Sequence, residues 1–191
     1  TAVVVINAAT GIEPMAQRMM DYAAARHLDR LIVVNKIDAP DIDLQALLAQ
    51  IQSTFGKECL PLNLPDARAT QVVDCFYNRE GHSDFGTVDA AHRALVEQVV
   101  EVDAAFVERY LEEGDVDPSE LHAPLEQALR EGHLIPVCFV SARSGAGVAE
   151  LLDIIVKLLP DPTEANPPDF LVGEGEDAKP LPVSPDPSLH V

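Results

Sequence analysis

Leu31-Ile-Val-Val34 runs straight into Asn35-Lys36-Ile37-Asp38. Four consecutive apolar residues with no polar alternation read as a strand buried on both faces, the pattern of a parallel sheet. The polar tetrapeptide then falls at the carboxyl end of that strand, where open parallel sheets bind ligands. Leu134–Val140 repeats the arrangement and delivers Ser141-Ala142, while Ala2–Ile6 has the same two-faced apolar look. The helices expected between and behind these runs make the chain α/β.

The two loops form a chemical pair. An ionised Asp offers only acceptors, so Asp38 can take the ring N–H and the exocyclic amine of guanine together. Adenine offers no such pair, and against it the carboxylate would lose water without gaining a partner. The Lys36 stem can lie over a purine face with its ammonium in solvent. Asn35 can tie neighbouring loops together, the Ala142 amide can donate to the guanine carbonyl, and Ser141 can steady its own loop or Asp38. A bare Asn-Lys-x-Asp turn is common; the flanking strand, the helix behind it and a second strand ending in Ser-Ala carry the guanine reading.

Taken in order, Pro14 suits a helix start and Met15, Met19, Tyr22 and Ala23 recur at helical spacing to about His27, the methionines read as core filler. Asp41 or Asp43 can cap the next helix, whose stripe is Leu44, Leu47, Leu48, Ile51 and Phe55, with Gly56 ending it. Beyond it the period changes. Leu60, Leu62 and Leu64 alternate, with Pro61 and Pro65 limiting how centrally that strand could pair, and Val72–Tyr77 is a second short strand candidate, which together predict a small antiparallel sheet. A helix is expected over 88–111, burying Val88, His92, Leu95, Val99, Val102, Phe106 and Tyr110. Asp117-Pro118-Ser119-Glu120 starts another to about Glu131, bent near Pro124, with Gly132 closing it. His92 reads as a stripe-edge residue, and His82, His122 and His133 lack zinc-ligand spacing. After Ser144-Gly-Ala-Gly147, Val148, Leu151, Leu152, Ile155 and Leu159 line a last helix. From Pro160 eight prolines in 32 residues end the periodicity, the mark of a linker or arm.

Ala2-Val-Val-Val-Ile-Asn7, Gly11-Ile-Glu-Pro14, Asn35-Lys36-Ile37-Asp38 and Ser141-Ala142 resemble the second half of the GTPase domain of bacterial elongation factor G, or of a divergent elongation-factor-G-like branch. Small GTPases separate the two base-reading motifs by one strand and helix, whereas here about a hundred residues intervene, as in that factor's inserted subdomain. Release-factor and tetracycline-protection relatives match the insert less well. One departure is Arg143-Ser-Gly-Ala-Gly147, where typical elongation factor G has a lysine- and asparagine-containing turn.

The resemblance implies a partial P-loop GTPase (Ras-like) three-layer fold lacking its N-terminal half. Residues 1–58 and 133–159 are its carboxyl-terminal half, 59–132 an inserted α+β subdomain, and 160–191 an arm toward a β-barrel domain. It implies base-reading roles for Asn35, Lys36, Asp38, Ser141 and Ala142, and GTP or GDP as the longer protein's ligand, with magnesium ligands outside this chain. It also implies the ribosome as partner, with large-subunit stalk proteins meeting the insert. The expected edge strand at 2–6, deprived of its neighbour, is a route to self-association.

Composition sets further bounds. A net charge of −19 and pI near 4.4 leave no basic stripe to release counterions, which argues against a direct grip on nucleic acid. Cys59, Cys75 and Cys138 are odd in number and form no CxxC, so a reducing cytoplasm is expected. No apolar run has membrane length. The glycine-rich 144–147 stretch lacks the lysine of a phosphate cradle, and no P-loop, Asp-x-x-Gly loop or switch threonine occurs. No catalytic or metal residue is therefore expected, and the chain alone should hydrolyse no GTP and bind nucleotide weakly. Two other readings stand beside this one: an acidic protein-binding module acting through 59–132, and a structural piece without activity of its own.

Overall fold

A four-stranded parallel sheet sandwiched between helices carries the molecule. The computed structural model describes residues 1–66, 68–83, 85–113, 120–160, 170–173 and 179–181. Strand β1 is Ala2–Asn7, β2 is Arg30–Asn35, β3 is Cys59–Pro61 and β6 is Ile135–Val140, with β4 (Asn63–Pro65) and β5 (Val72–Asp74) between them in sequence. The sheet order is β1-β2-β6-β3, all neighbours parallel. Cys59–Pro61 thus joins the parallel sheet rather than the antiparallel one, and the expected division at 58/59 falls at the very start of β3. The antiparallel pair expected next is present as β4 with β5.

Helices α1 (Pro14–Ala25) and α2 (Leu44–Phe55) cover one face. Val4, Ile6, Ile32, Val34, Val137 and Phe139 point into it and pack with Met20, Leu47 and Ile51. The other face, with Leu31, Val33, Cys138 and Val140, packs against α3 (Val88–Val100), α5 (His122–Glu131) and α6 (Val148–Lys157). These are the three layers that the resemblance implies, around the parallel sheet that the apolar runs predict. The second layer stops short of β1, whose Val3 and Val5 stay 48% and 58% exposed. With Met15, Met19 and Tyr22 they line a groove of about 440 Å³.

That groove corrects the expected stripe of α1. The helix buries Ala23 as expected, but with it Ala16 and Met20, one position round from the expected Met15 and Met19, while Tyr22 is exposed. Both sets have helical spacing, and the sequence does not say which one the sheet covers. In α6 the expected stripe holds in part: Val148, Leu151 and Leu159 pack against the core, but Ile154 is the buried residue while Leu152 is 57% and Ile155 38% exposed, because apolar residues surround most of that helix. In α2, Leu47 and Ile51 are buried as expected, Asp43 Oδ1 accepts from the Ala46 amide at 2.9 Å, and Gly56 follows the last residue.

The single helix expected over 88–111 is two, α3 and α4 (Ala104–Glu113). Val99, Val100 and Val102 are β-branched and Asp103 favours a break, so the chain turns there and the Asp103 carbonyl accepts from Val107 to start α4. Its expected stripe survives the break: His92, Leu95 and Val99 are buried, and Val102, Phe106 and Tyr110 pack against the same core. Helix α5 begins at His122, so Pro124 sits in its first turn, where the amide has no helical partner to lose, and the expected bend has no cause. The Asp117-Pro118-Ser119 start lies outside the described residues. Gly132 closes α5 at φ 76°, as expected. In the proline-rich end, β7 (Phe170–Val172) pairs antiparallel with β8 (Lys179–Leu181), a local hairpin where only an arm was expected.

One side chain acts as a piece of sheet. After β3 the Leu62 amide still donates to the Val137 carbonyl at 2.9 Å, but the Asn63 backbone has turned to pair with β5. The Asn63 carboxamide continues the ladder in its place. Its Nδ2 donates to the Phe139 carbonyl at 3.2 Å, and its Oδ1 accepts from the Phe139 amide at 2.7 Å. Asn63 is fully buried, so this pairing satisfies two strand groups that water cannot reach.

Candidate guanine-reading site

Register brings the two polar loops together. Asn35 lies opposite Val140 in the β2–β6 ladder, so the residues that follow each strand leave the sheet side by side. The Asn35 Oδ1 accepts from the Lys36 amide at 2.7 Å and from the Ala142 amide at 3.0 Å, linking its own loop to the next. Lys36 holds φ 66°, a left-handed conformation uncommon for a residue with a side chain and sustained here by that bond. Its side chain is exposed.

Ser141 makes the second link. Its hydroxyl donates to Asp38 Oδ1 at 2.6 Å and accepts from the Ser144 amide at 3.1 Å. The Ser141 side chain is fully buried, and its backbone is held by the Ala146 carbonyl and the Gly145 amide. The Ser141 hydrogen bond holds the Asp38 carboxyl below the usual carboxylate range, with the Arg143 guanidinium adding a smaller push the same way. The carboxylate is thus ionised and acceptor-only near neutral pH, and Ser141 occupies one of its several lone-pair directions.

All five residues singled out in the sequence therefore meet at one end of the sheet: Asn35, Lys36 and Asp38 from one loop, Ser141 and Ala142 from the other. Asn35 and Ser141 have the tying and steadying contacts expected of them. The Ala142 amide, expected to face a base carbonyl, donates to Asn35 in this structure, so a base carbonyl there would share or displace that hydrogen.

Beside Asp38 lies a cavity of about 240 Å³ that also touches Asp41, Asp66 and Arg68. Asp66 and Arg68 were not anticipated. They arrive from the turn after β4, where Asp66 accepts from the Thr70 amide at 2.7 Å and its hydroxyl at 2.8 Å. No spacing rule in the sequence connects that turn to Asp38. Among the described residues, no group of three or more His, Cys, Asp or Glu is placed to hold a metal ion, and no helix is long and apolar enough to cross a membrane.

Residues 1–161 match the family model described as the elongation factor Tu GTP binding domain. The chain belongs to that family. Within it, the chain is 28% identical over 187 residues to an elongation factor G-like protein of Mycobacterium tuberculosis, in strains CDC 1551 and H37Rv alike. The aligned part is 91% of this chain and 26% of the relative, so the chain spans about a quarter of the length of the curated relatives it matches. A crystal structure of a protein from Thermus thermophilus superposes with a TM-score of 0.72 at 31% identity, over 85% of this chain and 27% of that one. Membership gives the sheet-end loops a context: this is a family of GTP-binding domains, and the paired loops lie where open parallel sheets take their ligands.

Proposed function

We propose that the chain supplies the guanine-reading part of a translational GTPase of the elongation factor G type. In this reading the longer protein couples GTP hydrolysis to ribosomal translocation or a related step. Asp38 accepts from the guanine ring N–H and amine, Lys36 covers the base, and Asn35 and Ser141 hold the two loops in register. The observation that carries the reading is the pair of cross-loop hydrogen bonds, Ser141 to Asp38 and Ala142 to Asn35, which fix an ionised carboxylate beside a second strand end.

The phosphate-holding elements, the magnesium ligands and the switches lie outside this chain in the same reading, so residues 1–191 alone hydrolyse no GTP and hold guanine nucleotides weakly. Residues 1–58 and 133–159 serve the GTPase domain, with β3 continuing its sheet. The 59–132 segment is an inserted subdomain facing large-subunit stalk proteins, and 160–191 leads on toward another domain. The work is cytoplasmic, on the ribosome, without a direct nucleic-acid grip from this acidic surface. Strand β1, apolar and half exposed, supports self-association of the isolated chain.

Calorimetric titration with GDP and with ADP tests the reading on this chain and on one extended N-terminally through a phosphate-binding loop. Tight, guanine-selective binding by the longer form alone is the expected result. A longer form without preference for GDP over ADP would overturn it.

A further inference from the structure

Where α3 crosses α4, a cavity of about 220 Å³ is lined by Arg79, Asp89, His92, Arg93, Val96 and Tyr110. It lies away from the paired loops, and the guanine reading makes no use of it. His92 is 1% exposed, and its Nδ1 sits 3.0 Å from the Cys75 carbonyl oxygen. A carbonyl only accepts, so Nδ1 carries the hydrogen and Nε2, across the ring, is left as an acceptor in the neutral imidazole. Nε2 is buried and has no hydrogen-bond partner among the described residues. A buried polar atom in that state costs free energy until a donor reaches it.

The surroundings specify what that donor must be. Two arginines and one aspartate line the cavity, so its wall is rich in guanidinium N–H donors. Arg93 is paired with Asp89 through one of its terminal nitrogens, and a guanidinium has five N–H donors, so partners elsewhere do not exhaust either arginine. A ligand that fits must present charged oxygens to the guanidinium groups and one O–H to His92 Nε2. Inorganic phosphate near neutral pH has both, because its monohydrogen form keeps a proton beside its anionic oxygens. Sulfate is anionic with no proton. A phosphomonoester loses its last proton near pH 6 and lacks one at pH 8.

We propose that the Arg79–His92–Arg93 cavity is a binding site for inorganic phosphate, with His92 Nε2 reading the retained proton. Arginine is the side chain best matched to such an oxyanion, and here the guanidinium groups lie at the exposed mouth of the cavity while His92 lies buried at its inner side. Tyr110 can donate to or accept from the same group.

The test is calorimetric titration of the 191-residue chain at pH 8 with phosphate, methyl phosphate and sulfate, with the His92 ring nitrogens followed by ¹⁵N NMR. Saturable phosphate binding is expected, about tenfold tighter than sulfate or methyl phosphate, the worth of one hydrogen bond. The Nε2 resonance should shift with the same saturation. Arg79→Gln should weaken phosphate at least tenfold. His92→Asn, whose amide can still donate to the Cys75 carbonyl, should erase the preference for phosphate over sulfate. Should that variant fail to fold, Arg79→Gln and the three-anion comparison decide alone. Absence of saturable binding, equal affinity for all three anions, a stationary Nε2 resonance, or indifference to Arg79→Gln would each overturn the proposal.

Discussion

Asp38 and Ser141 are 103 positions apart in sequence and 2.6 Å apart in space. Since that bond holds the folded carboxyl below its ordinary value, it contributes stability that is complete above the unfolded-state range near 3.8 and is lost as pH falls through the folded value. Ser141→Ala should therefore raise the Asp38 carboxyl toward the ordinary range, visible in its ¹³C titration, and remove part of the acid dependence of unfolding. A titration unchanged by Ser141→Ala would assign the shift to the backbone hydrogen bond at Asp38 and to Arg143 instead. Asn63 offers a larger effect, because Asn63→Ala strands both the amide and the carbonyl of Phe139 in the core. About 2–4 kcal/mol of destabilisation is expected by urea unfolding, from two unsatisfied groups. That Asn35, Lys36, Asp38, Ser141 and Ala142 would meet at one sheet end was legible in the sequence, because each belongs to a short motif at a strand end. Asn63 was not, since nothing in Leu62-Asn-Leu64 says that a carboxamide will stand in for a strand.

Elements were legible where one period dominated. The three long parallel strands, the cap of α2 and the closing glycine of α5 follow from local pattern. Which face of α1 or α6 is buried does not, because each has apolar residues on more than one face and the neighbouring layer chooses. Strand β3 was hidden for a related reason: three residues ending on a proline look the same in either kind of sheet. The turn into α6 depends on Gly147, at φ 73°, where an added Cβ would meet the Phe139 carbonyl oxygen at 2.3 Å. Gly147→Ala should cost upwards of about 2 kcal/mol through backbone strain and that collision, and should loosen the Ser141 loop it anchors. A Tm within a degree of the unsubstituted chain would contradict this. At the opposite edge, Val5→Lys places a charge on the half-exposed side of β1. Sedimentation at high concentration should show less self-association than in the unsubstituted chain. If both sediment alike as monomers, the β1 edge is already adequately guarded.

For the molecule as a whole, helices pack on both faces of the sheet except over the outer side of β1, and the three cysteines lie inside those cores. Burial pushes the thiols of Cys59, Cys75 and Cys138 up to about 12. Each is thus protonated in the folded chain where the unfolded thiol, near 9, has begun to ionise, so stability is full below pH 9 and falls as pH rises toward 12. An Ellman assay at pH 8 should find no accessible thiol until denaturant unfolds the chain, and prompt labelling of the native protein would contradict the packing. The central claim concerns the other property of the whole: that strand register has assembled a guanine reader from two distant loops. Asp38→Asn tests it most directly, because it replaces a paired acceptor with one acceptor and one donor. In the N-terminally extended protein, GDP affinity should fall about 10- to 100-fold, while xanthosine diphosphate, which carries a carbonyl in place of the amine, should gain. GDP binding indifferent to Asp38→Asn would contradict the reading of these loops as a base-recognition site.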